Sequence, residues 1–367
     1  MIKKRAIFTA LCLLLLTGAV GAAISGGSAS DPLVSLSYLT GKFTSQVDTN
    51  VDSKLDSSDQ ALLDSVSGKL QVSSVSSAST WTDTRLKAAD VLTGTTGTNV
   101  VLLAGAVKVT FSSGAVVDVT TGTTVTSGSV LTAQHRYLVA EDTSAAFTVT
   151  SKTAVVDYQG PYSFTYSQAV DYNAIAAALK QLNLFRGSYT GYGQGYDLEA
   201  APTRIQALIM FIRVLGEETD ALSGTGATPF TDVAKGSNTE KYVAYAYRKG
   251  YTNGYSKTLF KPNQTITVNQ YMEFMLRALG YSSTATSDLS DTLVRAMDSD
   301  VINAPELAML KSGPFLRAEL VYVSYYALDA TVSGSGLTLQ KKLLNKGVFT
   351  SADVTSAAAL ISSSRLS

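Results

Sequence analysis

Apolar residues follow three different spacings along the chain, and each spacing predicts a different kind of structure. Between residues 32 and 78 they recur every three or four positions, which is the period of an amphipathic helix. Between residues 80 and 165, short β-branched and aromatic runs alternate with Gly, Ser and Thr, which is typical of a small antiparallel β domain, a sandwich or roll. From about Asp171 the helical spacing returns and repeats. The pattern predicts an α+β multidomain protein.

The first 23 residues have the character of an export signal. Three basic residues precede an apolar run that is centred on four consecutive leucines and ends in Gly21, Ala22 and Ala23. This order predicts a secretory signal peptide. The alternative is a membrane anchor, but the run is close to the lower length limit for a spanning helix and no basic cluster follows it. We expect residues 1–23 to be removed, the mature protein to be secreted, and no transmembrane segment to remain.

The predicted helical segment, residues 32–78, supports two interpretations. Its apolar stripe consists of Leu36, Leu39, Phe43, Val47, Val51, Leu55, Leu62, Leu63, Val66 and Leu70. A stripe of this kind forms a short coiled coil, which would make the protein a homo-oligomer or give it a stalk. The same stripe also suits an amphipathic helix packed on its own domain. Because the heptad is irregular, both interpretations stay open.

Acidic residues in the same segment follow part of a calcium-loop pattern. Five oxygen-bearing side chains fall at loop positions 1, 3, 5, 9 and 12, namely Asp48, Asn50, Asp52, Asp56 and Asp59. Calcium binds oxygen ligands at this spacing, but Ser53 stands where the loop needs glycine for its sharp turn. A solvated helix face is the alternative. The sequence leaves calcium binding between Asp48 and Asp59 open and assigns no metal site.

Charge and cysteine content narrow the class of protein. Removal of the three basic residues of the signal reduces Lys and Arg from 29 to 26, against 29 Asp and Glu. A chain with this balance is no general nucleic-acid binder, because phosphate binding needs a basic surface. Cys12, within the signal, is the only cysteine, so the mature protein has no disulfide.

The sequence lacks a persuasive catalytic constellation. His135 is the only histidine, and beside Arg136 it is typical of a surface or turn position. The acidic residues of the β region are scattered. Trp81, the only tryptophan, is expected to anchor a core where helix meets sheet. We therefore predict a protein that is not an enzyme, with no catalytic residues and no cofactor.

Three segments of the C-terminal half align with one another. They cover residues 203–216, 267–280 and 316–329. The first two begin with Thr-x-x-Gln, a capping box, and end in Arg-x-Leu-Gly. Gly216 and Gly280 suit the left-handed residue that ends many helices. The third segment keeps the apolar pattern and an Arg-Ala-Glu start, although Leu316 cannot cap with its side chain. The repetition predicts helices of about thirteen residues that share one core.

The second repeat carries additional motifs that resemble a known family. It begins with FTDV at residues 230–233, continues with YVAYAYRKGYTNG at 242–254, and reaches the helix through LFKPNQTIT at 259–267. These motifs resemble the S-layer homology family. The first and third repeats are similar to the family at their helix starts, TRIQ and LRAE. The resemblance covers roughly residues 171–350.

The resemblance implies both an architecture and a function. It implies an all-α bundle with pseudo-three-fold symmetry, built from repeats at residues 171–220, 225–285 and 286–350. Family members anchor exported proteins non-covalently to secondary polysaccharide of the bacterial cell wall, often through a pyruvylated sugar. Matched by position, the carboxylate ligands would be Arg204 and Arg317, and the glycine turns would contain Gly187 and Gly254. Asp232 would organise its turn and accept hydrogen bonds from hydroxyl groups.

One departure from the family pattern favours a second hypothesis. Val268 stands where the second repeat should have its arginine, so this groove has lost its main anion ligand. The alternative function is a self-assembling surface-layer or filament protein in which the repeats serve as scaffold.

Overall fold

The computed structural model describes residues 49–51, 76–188, 190–281 and 288–367. The chain divides into two compact units, residues 1–73 and 74–367. In the first unit, residues 49–51 are helical. The predicted signal lies outside the described residues, as do the apolar stripe except Val51 and the candidate calcium ligands except Asn50. In the second unit strands come first and helices follow, so the chain is α+β with a curled antiparallel sheet.

Nine strands occupy the first part of this unit. They are β1 (Ser76–Lys87), β2 (Val91–Thr95), β3 (Asn99–Ala104), β4 (Val107–Thr110), β5 (Ala115–Asp118), β6 (Thr123–Val125), β7 (Arg136–Ala140), β8 (Ser144–Val149) and β9 (Thr153–Thr165). In β2, β4, β5, β7 and β8, buried residues alternate with less buried ones, so each of these strands has one buried face. In β8, for example, Ala145, Phe147 and Val149 are buried while their neighbours are not. Residues 76–78, which the sequence analysis placed in the helical segment, begin β1 instead.

The longest strand, β9, connects the sheet. The strand order is β4-β8-β2-β9-β3-β7-β5-β6, and β1 pairs with β9 in addition. Along one edge, β9 pairs with β3 as far as Gln159 and with β2 from Tyr162 onward. Gly160 lies at this change of partner with φ +102°, and a Cβ there would be 2.7 Å from the carbonyl oxygen of Gly97. Only glycine fits such a close approach of two backbones.

Trp81 does not occupy the core position that the sequence predicted. It lies on β1, in the irregular stretch of the β1–β9 pairing between Ala78 and Thr82, and 39% of it is exposed. The guanidinium carbon of Arg136 is 5.5 Å from its ring centroid, so the indole packs beneath a cation at the surface. The irregular pairing turns this part of β1 away from the core. His135 pairs with Asp118, Nδ1 to Oδ2 at 2.7 Å, at the start of β7.

Ten α-helices follow within the described residues. They are α1 (Tyr172–Gln181), α2 (Arg204–Val214), α3 (Glu218–Ser223), α4 (Asn238–Arg248), α5 (Val268–Leu279), α6 (Thr292–Asp298), α7 (Ala304–Lys311), α8 (Arg317–Tyr326), α9 (Leu339–Lys346) and α10 (Ser351–Ala359). The two predicted capping boxes are confirmed at the starts of α2 and α5. Gly216 and Gly280 have φ of +63° and +84°, the left-handed conformation expected after these helices.

Buried polar contacts connect the sheet to the helices. The Arg85 guanidinium on β1 donates to Asn173 Oδ1 at 2.7 Å, to the Gly193 carbonyl at 3.1 Å and to Glu199 at 2.5 Å. From the turn between β8 and β9, Lys152 forms an ion pair with Glu319 in the first turn of α8. The sheet and the helical repeats are therefore tied together by ion pairs with little solvent access.

Candidate functional site

The α2 and α8 helices, which carry the two candidate arginines, start against extended segments that precede other repeat helices. At α2, the backbone N–H groups of Arg204 and Ile205 donate to the carbonyl oxygens of Gln264 and Pro262, at 2.8 and 3.0 Å. These acceptors lie three and five residues before Thr267, the N-cap of α5. The start of the first repeat helix is therefore held by the second repeat.

The start of α8 repeats this arrangement. The N–H groups of Arg317 and Ala318 donate to the carbonyl oxygens of Ala200 and Leu198, at 2.9 and 3.0 Å. These acceptors lie three and five residues before Thr203, the N-cap of α2. The junction between the third and first repeats therefore has the same backbone hydrogen bonds as the junction between the first and second.

Arg204 is buried within the junction between the first and second repeats. Its Nε donates to the Phe260 carbonyl at 2.8 Å and its Nη1 donates to Gln270 Oε1 at 2.9 Å. The guanidinium carbon lies 4.9 Å from the Phe260 ring centroid, and only 2% of the residue is exposed. Burial lowers the Arg204 pKa to about 10, although the charge of Asp232 opposes this shift. The guanidinium of Arg204 is therefore occupied by contacts within the protein.

Arg317 makes the equivalent contact but faces a groove. Its Nε donates to the Tyr196 carbonyl at 3.3 Å, and its guanidinium carbon lies 5.8 Å from the Phe185 ring centroid. No carboxylate of the described residues lies within 4 Å of this guanidinium. Burial lowers the pKa of Arg317, although the charge of Asp197 opposes this shift, and nearby Arg213 acts in the same direction as burial. Arg317 is thus a half-buried cation without an ion-pair partner in the described part of the chain.

The groove beside Arg317 has a volume of about 260 Å³. Its polar lining consists of Gly187, Ser188, Gln206, Arg213 and Arg317, and we call it the Arg317 groove. Among the described residues that line it, none is acidic. Two guanidinium groups therefore border a small cavity with apolar walls, where an anion gains more from them than it would in water.

Arg213 is the residue of this groove that sequence reasoning missed. Its position near the end of α2 suggested only an interaction with the helix dipole. In the structure its Nε donates to Glu218 Oε1 at 2.8 Å, and Glu218 also pairs with Arg186. The guanidinium lines the Arg317 groove because α2 runs along it from its start to its end. No spacing within the first repeat could indicate a neighbour that belongs to the third.

The two glycines of the candidate site take equivalent, left-handed conformations. Gly187 has φ +73°, and a Cβ there would lie 2.5 Å from the carbonyl oxygen of Gly195. Gly254 has φ +85°, and its Cβ would lie 2.3 Å from the Phe230 ring. Gly187 lines the Arg317 groove, whereas Gly254 contacts Phe230 at the start of the second repeat. Gly187 and Arg317 therefore lie at the same groove. Gly254 lies in the second repeat, which forms the junction that contains Arg204.

Asp232 accepts two backbone hydrogen bonds. Its two carboxylate oxygens accept from the N–H groups of Phe260 and Lys261, at 2.9 and 2.7 Å. Lys261 has φ +57°, so these bonds hold a left-handed residue that β-carbon contacts disfavour. Asp232 thereby fixes the carbonyl of Phe260, which is the acceptor for Arg204.

The turn that carries Gly187 is held by the β region. The N–H of Gly193 donates to Asp83 Oδ2 at 2.8 Å, and the carbonyl of Gly193 accepts from Arg85. Ser188 N–H donates to the Gly195 carbonyl at 2.5 Å across the same turn. Strand β1 therefore contributes to the position of one wall of the Arg317 groove.

The described residues lack two features that would indicate other classes of protein. No helix of the described ranges combines the length and apolar character that crossing a membrane requires. No cluster of three or more His, Cys, Asp or Glu suited to a metal ion occurs there either.

Comparison with known proteins identifies one domain. The S-layer homology domain matches residues 229–267, from just before FTDV to the N-cap of α5. No curated protein matches the chain. The match ends one residue before Val268, so it covers the turn held by Asp232 and not the helix position that carries arginine in the other repeats. S-layer homology domains are in general associated with non-covalent anchoring to the bacterial cell wall, and residues 229–267 carry one such domain, which indicates a protein associated with the bacterial cell surface.

Proposed function

We propose that the chain is an exported binding and structural protein and not an enzyme. Its S-layer homology repeats would bind it to cell-wall polysaccharide. Residues 171–350 would form three repeats in a bundle with pseudo-three-fold symmetry. The equivalent hydrogen bonds at the starts of α2 and α8 support this arrangement for two of the three junctions.

The observation that carries the proposal is the unpaired Arg317 in its groove. A wall polysaccharide with an acidic substituent, such as a pyruvyl ketal, would place its carboxylate on Arg317, with Arg213 as a second cation. Gly187 and Ser188 would allow the backbone to approach the sugar ring, and the apolar walls would cover the ring itself. Glu218 already neutralises part of the charge on Arg213, so Arg317 would supply most of the attraction.

Arg204 as a second carboxylate ligand stays a prediction. A ligand could reach its guanidinium only by displacing Gln270 and the Phe260 carbonyl, which are its present partners. We therefore propose the Arg317 groove as the principal site.

The experiment is sedimentation of the full secreted chain with purified wall sacculi. We expect the wild-type protein to pellet with native walls and to stay in solution with walls stripped of secondary polymer. Arg317→Ala should reduce pelleting at least tenfold, because a carboxylate loses its unpaired cation. Arg248→Ala, which removes an exposed charge from α4, is the matched control and should leave pelleting unchanged.

Two outcomes would count against this function. Pelleting that survives Arg317→Ala would keep the anchor but discard the Arg317 groove as its site. No pelleting with native walls would favour the alternative, a self-assembling surface-layer or filament protein with the repeats as scaffold. The sealed Arg204 and the valine at position 268 favour that alternative, because both leave a repeat without an available arginine.

A further inference from the structure

A second cavity lies between the sheet and the helices. It has a volume of about 470 Å³, within the range of roughly 300–1,000 Å³ that small-molecule sites occupy. We call it the seam pocket. Its lining comes from β1, the turn after β1 and the residue that follows β9 on one side, and from α1, the Gly193 turn and the segment after α10 on the other. It shares no lining residue with the Arg317 groove.

Each cation of the seam pocket has a carboxylate partner. Arg85 is neutralised by Glu199, and Lys87 donates to Asp90 Oδ1 at 3.0 Å. Asp171 caps α1 and accepts from Ser362. Because no cation in the lining is left without a carboxylate partner, the seam pocket offers an anionic ligand nothing comparable to Arg317. The seam pocket therefore suits an uncharged molecule better than an anionic one.

Several polar groups of the lining keep unused hydrogen-bonding capacity. Asn173 accepts from Arg85 through Oδ1, and its amide N–H₂ makes no hydrogen bond among the described residues. Asp83 uses one oxygen on Gly193 N–H, and the side chain of Gln194 has no partner in the same part of the chain. Amides and carboxylates with free positions can bond to adjacent hydroxyl groups as donor and acceptor together.

An exposed aromatic ring stands beside these polar groups. Tyr166 lines the seam pocket and is 63% exposed. Its ring is stacked on Phe164, with centroids 5.7 Å apart and an interplanar angle of 17°, and the Nζ of Lys87 lies 5.3 Å from its centroid. These contacts hold the tyrosine ring in place while most of its surface stays open to solvent. A fixed aromatic ring next to free amides is an arrangement that can hold the apolar face of a sugar and its hydroxyl groups.

We infer that the seam pocket binds an uncharged saccharide unit, with Tyr166 stacked on the ring and Asn173, Gln194 and Asp83 bound to its hydroxyl groups. This site is independent of the Arg317 groove and of the anion that the groove is proposed to hold. Two sites on one chain would let a polysaccharide bind at both, which raises the apparent affinity without any new contact in either.

The test is saturation-transfer NMR and titration calorimetry on the full chain with uncharged probes. The probes are methyl glycosides of glucose, galactose, mannose and N-acetylglucosamine, and neutral oligosaccharides released either from secondary wall polymer or from peptidoglycan glycan strands. We expect at least one probe to bind, and the better of the two oligosaccharide classes to identify the source. Tyr166→Ala and Asn173→Ala should each weaken that binding about tenfold.

Two control variants make the result specific. Tyr247→Ala removes another exposed tyrosine, 44% exposed on α4 and outside both cavities, and should not change the affinity. Arg317→Ala should also leave it unchanged, which separates this site from the proposed anchor. The inference is overturned if no probe binds, or if binding is the same in wild type, Tyr166→Ala and Asn173→Ala. Circular dichroism of each variant confirms that the comparison is between folded proteins.

Discussion

Arg204 and Arg317 donate the same hydrogen bond in two different surroundings. Each Nε bonds the carbonyl of a residue seven positions before the N-cap of the next repeat helix, Phe260 for Arg204 and Tyr196 for Arg317. Gln270 closes the first site by accepting from Arg204, whereas the second site opens into a groove. The same geometry thus serves as a structural contact in one junction and as an available cation in the other.

The first prediction separates these two roles. Arg204→Ala leaves the Phe260 carbonyl and Gln270 without their donor inside the protein, and we expect it to lower the free energy of unfolding by about 3 kcal/mol. Arg317→Ala removes one longer hydrogen bond from a half-buried residue and should cost about 1 kcal/mol. Urea unfolding of both variants measures the difference. Equal costs would mean that the two arginines are equally structural.

The second prediction concerns the groove wall. Gly187→Ala places a Cβ within contact distance of the Gly195 carbonyl, so the turn must shift away from the Arg317 groove. We expect pelleting with native walls to fall about tenfold. The control is Gly250→Ala, which carries a similar positive φ of +75° but has no atom within 4 Å of the added carbon. Both variants bear the cost of left-handed backbone, about 1 kcal/mol, so only the clash distinguishes them. Loss of pelleting in both would assign the effect to backbone strain.

The third prediction tests the connection between β1 and the groove. Arg85→Gln keeps a donor for Asn173 but removes the ion pair with Glu199 and the contact with Gly193. We expect pelleting to weaken several-fold while the far-UV circular dichroism is unchanged, because β1 then holds the turn that carries Gly187 only through Asp83. Lys108→Gln, on the exposed side of β4, is the matched charge control. Unaltered pelleting in Arg85→Gln would show that the turn holds its shape without the contacts of Arg85.

The fourth prediction is a pH dependence from two facing carboxylates. Asp83 and Asp157 are directly opposite each other on β1 and β9, and Asp157 Oδ1 is buried without a partner among the described residues. Burial, followed by the charge of Asp83, raises the pKa of Asp157. A carboxyl with a raised pKa favours the folded state below its unfolded pKa, and this contribution is lost as the pH rises through the folded value. Asp157→Asn should therefore increase the free energy of unfolding at pH 7, with the gain shrinking below about pH 4.

Asp118 is an internal control, because its pKa is shifted in the opposite direction to that of Asp157. Burial opposes its ionisation, but hydrogen bonds from His135, Thr121 and Thr120 outweigh burial and lower the pKa of Asp118. Stability from its ionised form is present above the unfolded pKa and is lost as the pH falls through the folded value. Asp118→Asn should therefore destabilise the protein at pH 7 and matter less in acid. Unfolding curves at pH 7 and pH 3.5 that shifted both variants in the same direction would contradict the assignment.

The helical half was more predictable from sequence than the sheet. Thr203 and Thr267 predict the starts of α2 and α5, because a capping box is a local signal that spans four residues. By contrast, β1 is mostly exposed and polar, and β9 contains Gly160-Pro161, which is typical of a turn. Both strands form because β9 pairs with β1, β2 and β3. Pairing between residues that are far apart in the chain leaves no local sequence pattern.

The candidate site was predictable in part for the same reason. The position of Arg317 follows from its place in the repeat, and so does that of Arg204, because each is the first residue of a helix with a recognisable start. Whether a guanidinium is sealed or open depends on the residue that another repeat places beside it. Gln270 closes the first site and belongs to a helix 66 residues further along the chain. Sequence motifs located the arginines but could not tell them apart.

The ion pair between Lys152 and Glu319 has a mechanical consequence. Glu319 lies two residues after Arg317, in the same helical turn, and Lys152 lies in the turn that leads into β9. Tension applied to the sheet, as by fluid shear on a cell surface, would reach α8 at the turn that carries Arg317. Load would be shared with the Arg85–Glu199 pair on β1, so separating the sheet from the repeats would require both ion pairs to break. Tension on the sheet would thus be transmitted to the helical turn that carries the residue proposed to bind the wall.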